Sequence, residues 1–220
     1  MNRPIIRLIL LLTGILVLNS PAFCNTSGQD TQLKNEILAG IEQRYAHKSF
    51  SADFNQAARL AALDITETAT GQAWFSHPGK MRWLYLSPDR HEIITNGKEL
   101  WIYRPDEDQV MTGDAAPFFQ TGAGGAFLSD ITRIKTDFTI ELGKTDASYA
   151  QLILTPKKEN PDLAVIRITI QRKTHEIEMV VTENIYGDST RFIFSNIRFN
   201  DPDPAMFNFT IPDGTSIIEM

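Results

Sequence analysis

The chain has 220 residues, with 21 Lys and Arg against 27 Asp and Glu, a formal charge of −6, 42% apolar residues and one cysteine. That length supports one domain with a substantial core. The acidity argues against a nucleic-acid partner, which needs a cationic footprint, and against direct settling on anionic lipid headgroups.

Residues 1–24 read as a secretory signal peptide. Arg3 and Arg7 give a positive start, Leu8 to Leu18 an apolar stretch too short to span a bilayer as a helix, and Asn19-Ser20-Pro21 a break. Ala22-Phe23-Cys24 fits a cleavage site that leaves Asn25 as the new terminus. A cysteine so placed is also the residue that bacterial lipoproteins acylate, but the bulky Phe23 stands where such a site wants a small residue. With Cys24 removed, the mature chain has no thiol and rests on its apolar core alone. Residues 25–220 carry no repeat and no low-complexity linker and read as a single domain.

After a loose polar stretch, Leu33, Ile37, Leu38, Ile41 and Tyr45 recur at three- and four-residue spacings and predict a helix over 31–47, capped by Asp30 or Thr31. Its apolar stripe is narrow, so it lies on something rather than inside it. Phe50, Ala52 and Phe54 then alternate with polar residues as a first strand that extends towards Asp64. From Gly71 to Met111, four aromatic and β-branched segments are parted by Pro78-Gly79, Ser87-Pro88-Asp89, Asn96-Gly97 and Pro105 to Asp108. This pattern is an antiparallel meander, with Asn96-Gly97 as a two-residue hairpin turn. Between Gly113 and Ile134 the strands stop. Pro117-Phe118-Phe119 and Phe127-Leu128-Ile131 predict two short helices joined through Gly122-Ala123-Gly124-Gly125, a hinge rather than a phosphate loop because no Lys-Ser/Thr follows. Strands resume at Phe138, Ala150 and Ile166; Ile177, Met179 and Val181 point one way, Phe192 and Phe194 continue, and Phe207, Phe209 and Ile211 close the series. The count is about eleven strands with helices at two places, a mainly β (α+β) chain whose consecutive antiparallel strands curl into a barrel or half-barrel. The apolar face either fills that barrel or lines a pocket, and two helical insertions with apolar stripes favour a pocket under a lid.

Pro78-Gly79-Lys80-Met81-Arg82-Trp83, Ser87-Pro88, Asn96-Gly97-Lys98-Glu99-Leu100-Trp101-Ile102-Tyr103, Pro105 and Gln109-Val110 match in order and spacing a known pattern. With Phe50 to Gln56 upstream and Ala205 to Pro212 downstream, the chain resembles the outer-membrane lipoprotein carrier protein (LolA) family over most of its length after the leader. The resemblance implies an incomplete antiparallel β-barrel covered by an α-helical lid. It also implies a periplasmic chaperone of a Gram-negative bacterium. Such a carrier takes acylated lipoproteins from an inner-membrane ABC release complex and hands them to an outer-membrane acceptor lipoprotein, without a cofactor and as a monomer. Two alternatives keep the fold: the membrane-anchored acceptor itself, and a carrier of another amphiphile such as a glycolipid or polyketide.

Phe54, Met81, Trp83, Tyr85, Ile93, Ile177 and Met179 are the expected acyl-chain wall, and Ile37, Ile41, Phe118, Phe127 and Leu128 the expected lid. Many family members have Arg or Lys before the proline of the second turn as a lid latch. This chain has His77 there, a weaker donor, with Lys80 or Arg82 as possible substitutes. The four histidines form no HExxH pairing, no Gly-x-Ser-x-Gly elbow occurs, and Asp106-Glu107-Asp108 lacks the twelve-residue calcium-loop pattern. The sequence therefore offers no metal site and no catalytic constellation.

Overall fold

The computed structural model describes residues 26–120 and 123–220; the expected signal peptide and Cys24 lie outside them. A helix, α1 (Thr26–Tyr45), comes first. It begins earlier than its apolar stripe predicts, because the polar residues before Leu33 continue the helix into solvent rather than capping it.

Six strands follow: β1 (Phe50–Leu60), β2 (Ile65–Ser76), β3 (Lys80–Ser87), β4 (His91–Thr95), β5 (Glu99–Arg104) and β6 (Gln109–Asp114). A helical stretch made of α2 (Ala115–Gln120), a 3-10 helix (Ala123–Arg133) and α3 (Ile134–Asp137) leads to β7 (Phe138–Thr145), β8 (Tyr149–Pro156), β9 (Val165–Gln171), β10 (Ile177–Glu183) and β11 (Ser189–Arg198). The 3-10 helix already includes Gly124 and Gly125 of the expected hinge, while Gly122 lies outside the described residues. A last short strand, β12 (Ser216–Glu219), lies parallel to β6. One twelve-stranded sheet results, in the order β12-β6-β5-β4-β3-β2-β1-β11-β10-β9-β8-β7. Its two edges, β12 and β7, do not pair with each other, so the barrel is incomplete.

That order explains the lid. The chain starts at the middle of the sheet, meanders out to β6, and must return to the opposite edge before meandering back to β11 beside β1. In a curled sheet the short way between the edges crosses the hollow. Residues 115–120 and 123–137 lie on that crossing, and Phe118, Leu128, Ile131 and Ile134 from them pack into the concave side.

Antiparallel register keeps one face greasy. Phe50, Phe75, Met81 and Thr95 pair across β1 to β4, as do Ala52, Ala73, Trp83 and Ile93, then Phe54, Gly71, Tyr85 and His91. Gly71 is required in the last rung: a Cβ there would lie 2.1 Å from the Leu84 carbonyl oxygen and 2.7 Å from the Phe54 ring. Beyond β1, Phe192, Val180, Ile168 and Leu152 continue the concave face across β11 to β8.

Two expectations about strands are corrected. In β10 a bulge between Ile177 and Met179 breaks the alternation, so Ile177 and Val180 face the core while Met179 and Val181 face outwards. One extra residue in a strand reverses every later side chain. Phe207 and Phe209 do not belong to a closing strand. Asp203 accepts a hydrogen bond from the Ala205 amide and Pro204 starts one 3-10 turn (Pro204–Phe207), which turns the chain into a strap over the outer face. There the Met206 carbonyl accepts from Arg82 at 3.2 Å, and the Phe209 ring lies 5.0 Å from Tyr103. The actual last strand is exposed throughout, so it carries no alternation to read.

Candidate functional site: a lidded apolar hollow

The hollow is lined by aromatic rings in contact. Phe54 lies 4.8 Å from Trp83 and 5.0 Å from Tyr85, Trp83 lies 4.9 Å from Phe192, and Phe50 stacks on Phe75 at 4.7 Å. Of the wall residues expected from sequence, Phe54, Met81, Trp83, Tyr85 and Ile177 are buried in this core and Ile93 packs against it. Met179 does not join them; with Ile193 and Tyr149 it lines a shallow groove of about 390 Å³ on the convex face. Phe75, Phe192, Phe194 and the isoleucines of β9 belong to the wall too. Their alternation was readable in the sequence, but which face looked inward was not.

Lid residues fill the hollow rather than roofing an empty one. Ile37, Leu38, Ile41 and Tyr45 from α1 are buried against the wall, as are Leu128, Ile131 and Ile134 from the crossing segment. Phe118 and Phe127 pack there half-buried. An open greasy void in water is unfavourable, so the apolar stripe of the lid takes its place.

Polar contacts at two turns hold the lid, and Lys34 Nζ also donates to the Ile140 carbonyl at 3.3 Å and Lys157 Nζ to the Lys135 and Thr136 carbonyls at 2.9 and 3.0 Å. At the β9–β10 turn, Arg44 pairs with Glu176 at 2.7 Å, and the Tyr45 hydroxyl accepts from the Ile177 amide at 3.0 Å. The His175 ring lies against Gly40, where a Cβ would come within 2.4 Å of three ring atoms. Burial pushes the Tyr45 hydroxyl above its usual range, and Tyr85 likewise. At the β2–β3 turn the Gly79 amide donates to the Ser129 carbonyl at 3.2 Å, and His77 Nδ1 stands 3.5 Å from the Asp130 carboxylate. His77 thus reaches a lid side chain, not a lid carbonyl; the carbonyl is taken by the backbone of Gly79. Arg82 is not a substitute, since it lies on the outer face and pairs with Glu92 at 2.9 Å. Lys135 joins α3 to α1 through Glu42 at 2.7 Å, so the two parts of the lid are tied.

An open sheet curled around an apolar hollow and closed by helices defines a lidded half-barrel, mostly β and built to cover an apolar surface. The chain belongs to the outer membrane lipoprotein carrier protein LolA family, whose model matches residues 46–210. It is 31% identical over 172 residues to an outer-membrane lipoprotein carrier protein of Chromobacterium violaceum, covering 78% of this chain and 81% of that one. Over 216 residues it is 26% identical to the carrier protein of Coxiella burnetii, covering 97% and 98%. A similar fold occurs in an uncharacterized conserved protein from Thermus thermophilus, with a TM-score of 0.53 at 12% identity over 84% of this chain and 98% of that one.

Proposed function

We propose that this protein is a periplasmic carrier that shelters the acyl chains of lipoproteins released from the inner membrane and delivers them to an outer-membrane acceptor. Membership of a family of lipoprotein carriers supports the general role. The observation that carries it here is that side chains of the lid fill the hollow. Seven lid side chains, Ile37, Leu38, Ile41, Tyr45, Leu128, Ile131 and Ile134, are buried on the wall, gaining about 1.5–3 kcal/mol each and so about 10–20 kcal/mol gross. A sixteen-carbon acyl chain gains about 10 kcal/mol gross at about 0.8 kcal/mol per methylene. The two are of the same order. A lid that leaves and a chain that enters therefore nearly balance, which lets a carrier both load and release.

In this account residues 1–24 direct export and are then removed, and the carrier works as a soluble monomer between an ABC release complex and an acceptor lipoprotein. The test is incubation of the purified mature protein with spheroplasts. Lipoprotein should appear in the supernatant as a soluble one-to-one complex; lipoprotein that stays with the membrane overturns the proposal. Intact mass separates the carrier from the anchored-acceptor alternative: a terminus at Asn25 supports the carrier, and a triacylated Cys24 would replace it with the acceptor.

A further inference from the structure

Among the described residues, three buried side-chain nitrogens have no hydrogen-bond partner: Arg44 Nε, His175 Nε2 and Trp83 Nε1. The first two lie where α1 meets the β9–β10 turn, on side chains already anchored by Glu176 and by packing on Gly40. Trp83 is different. It stands in the middle of the apolar wall, fully buried, with the rings of Phe54, Phe192 and Phe75 at 4.8, 4.9 and 5.5 Å. Ring faces are weak acceptors, so the indole N–H carries most of the cost of lost water. A phenylalanine would fill much of the same space without that cost. An unpartnered donor inside a site whose contents exchange is accounted for when the contents bring the acceptor.

The wall around it changes character along its length. Towards the β2–β3 turn the next rung is Phe50, Phe75, Met81 and Thr95, and its one polar side-chain atom, the Thr95 hydroxyl oxygen, already accepts from the Gly97 amide at 2.9 Å. Towards the other end the next rung holds Tyr85, whose hydroxyl donates to Gln56 Oε1 at 2.8 Å and whose ring stacks on His91 at 4.0 Å. Trp83 sits at the boundary. An acyl chain has the same step, from methylenes to an ester or amide carbonyl.

We propose that Trp83 Nε1–H receives the ester or amide carbonyl at the head of the cargo's acyl chain, with Tyr85 and Gln56 forming the polar end of the same wall. This rests on the carrier reading and adds the group recognised. The hydrogen bond sets how deep the chain enters. It also makes the site select acyl esters and amides over ethers or bare hydrocarbon, whose apolar surface is equal but which lack the carbonyl.

The test compares dioctanoylglycerol with its dioctyl ether, each displacing a fluorescent fatty acid from the mature protein. The ester should bind about five- to tenfold more tightly, the worth of one buried hydrogen bond, and Trp83→Phe should bring the ratio to near one. Equal binding by the natural protein, or a preference that survives Trp83→Phe, overturns this assignment and leaves the carrier reading standing. If neither lipid displaces the probe, the carrier reading fails and takes the assignment with it. Should Trp83→Phe not fold, the indole proton of the natural protein decides by NMR. It should move downfield with the ester and not with the ether; a resonance that the ester leaves in place overturns the assignment.

Discussion

Gly40 shows how one residue sets the position of a whole lid helix. Its missing side chain lets α1 lie on the His175 ring, which is itself held in a left-handed backbone conformation at φ 56°. We expect Gly40→Ala to lose about 1–3 kcal/mol of stability by overpacking, read as a lower urea midpoint. His175→Ala in the same chain should recover part of that loss, because the two residues share one contact. A second residue-scale effect concerns Asp188, which accepts from the Ala61 amide at 2.8 Å and from Asn184 at 3.0 Å. These donors, Asn184 foremost, hold its carboxyl below the usual carboxylate range. A folded pKa lower than the unfolded one gives stability that is full above about pH 4 and fades as pH falls through the lower folded value. Asp188→Asn should therefore flatten the acid limb of the stability curve, measured by urea unfolding across the acidic range. None of this was legible in the sequence. Gly40 and His175 lie far apart along the chain, and no local pattern joins them.

Among the elements, the 3-10 helix Ala123–Arg133 is the weak one. Eleven residues is long for a 3-10 helix, whose hydrogen bonds are poorly aligned. It is fastened to the sheet by the Gly79 amide and the His77–Asp130 contact, both at one turn. Hydrogen exchange should place its amides among the fastest of the regular elements and those of β8 and β9 among the slowest, since the latter pair on both sides. Asp130→Ala removes the carboxylate that faces His77. We expect a destabilised closed lid and an affinity for a fluorescent apolar probe that rises about two- to fivefold, in line with a contact worth about 0.5–1 kcal/mol. Unchanged affinity would place the latch elsewhere. The helical stripes and the existence of this insertion were visible as spacing. The length of α1, the bulge in β10 and the strap after Arg198 were not, because each depends on what the chain packs against.

At the scale of the molecule, the acidic surface and the covered hollow act together. Without residues 1–24 the chain keeps 19 basic against 27 acidic residues, two fewer cations than the full chain. The chain without residues 1–24 should not co-sediment with phosphatidylglycerol vesicles at low salt, because its net charge repels them and its apolar stripe is turned inward. The sequence by itself determined that strands alternate and helices interrupt them, because burying one face of a strand or helix forces a period on the residues. It also held the ordered series of turns and aromatics that marks the family. Only the tertiary structure decided which face became the hollow, that Met179 left it, and that lid side chains occupy it in place of an empty space. Those outcomes follow from pairing between distant strands and from competition for one apolar surface, and a linear period contains neither.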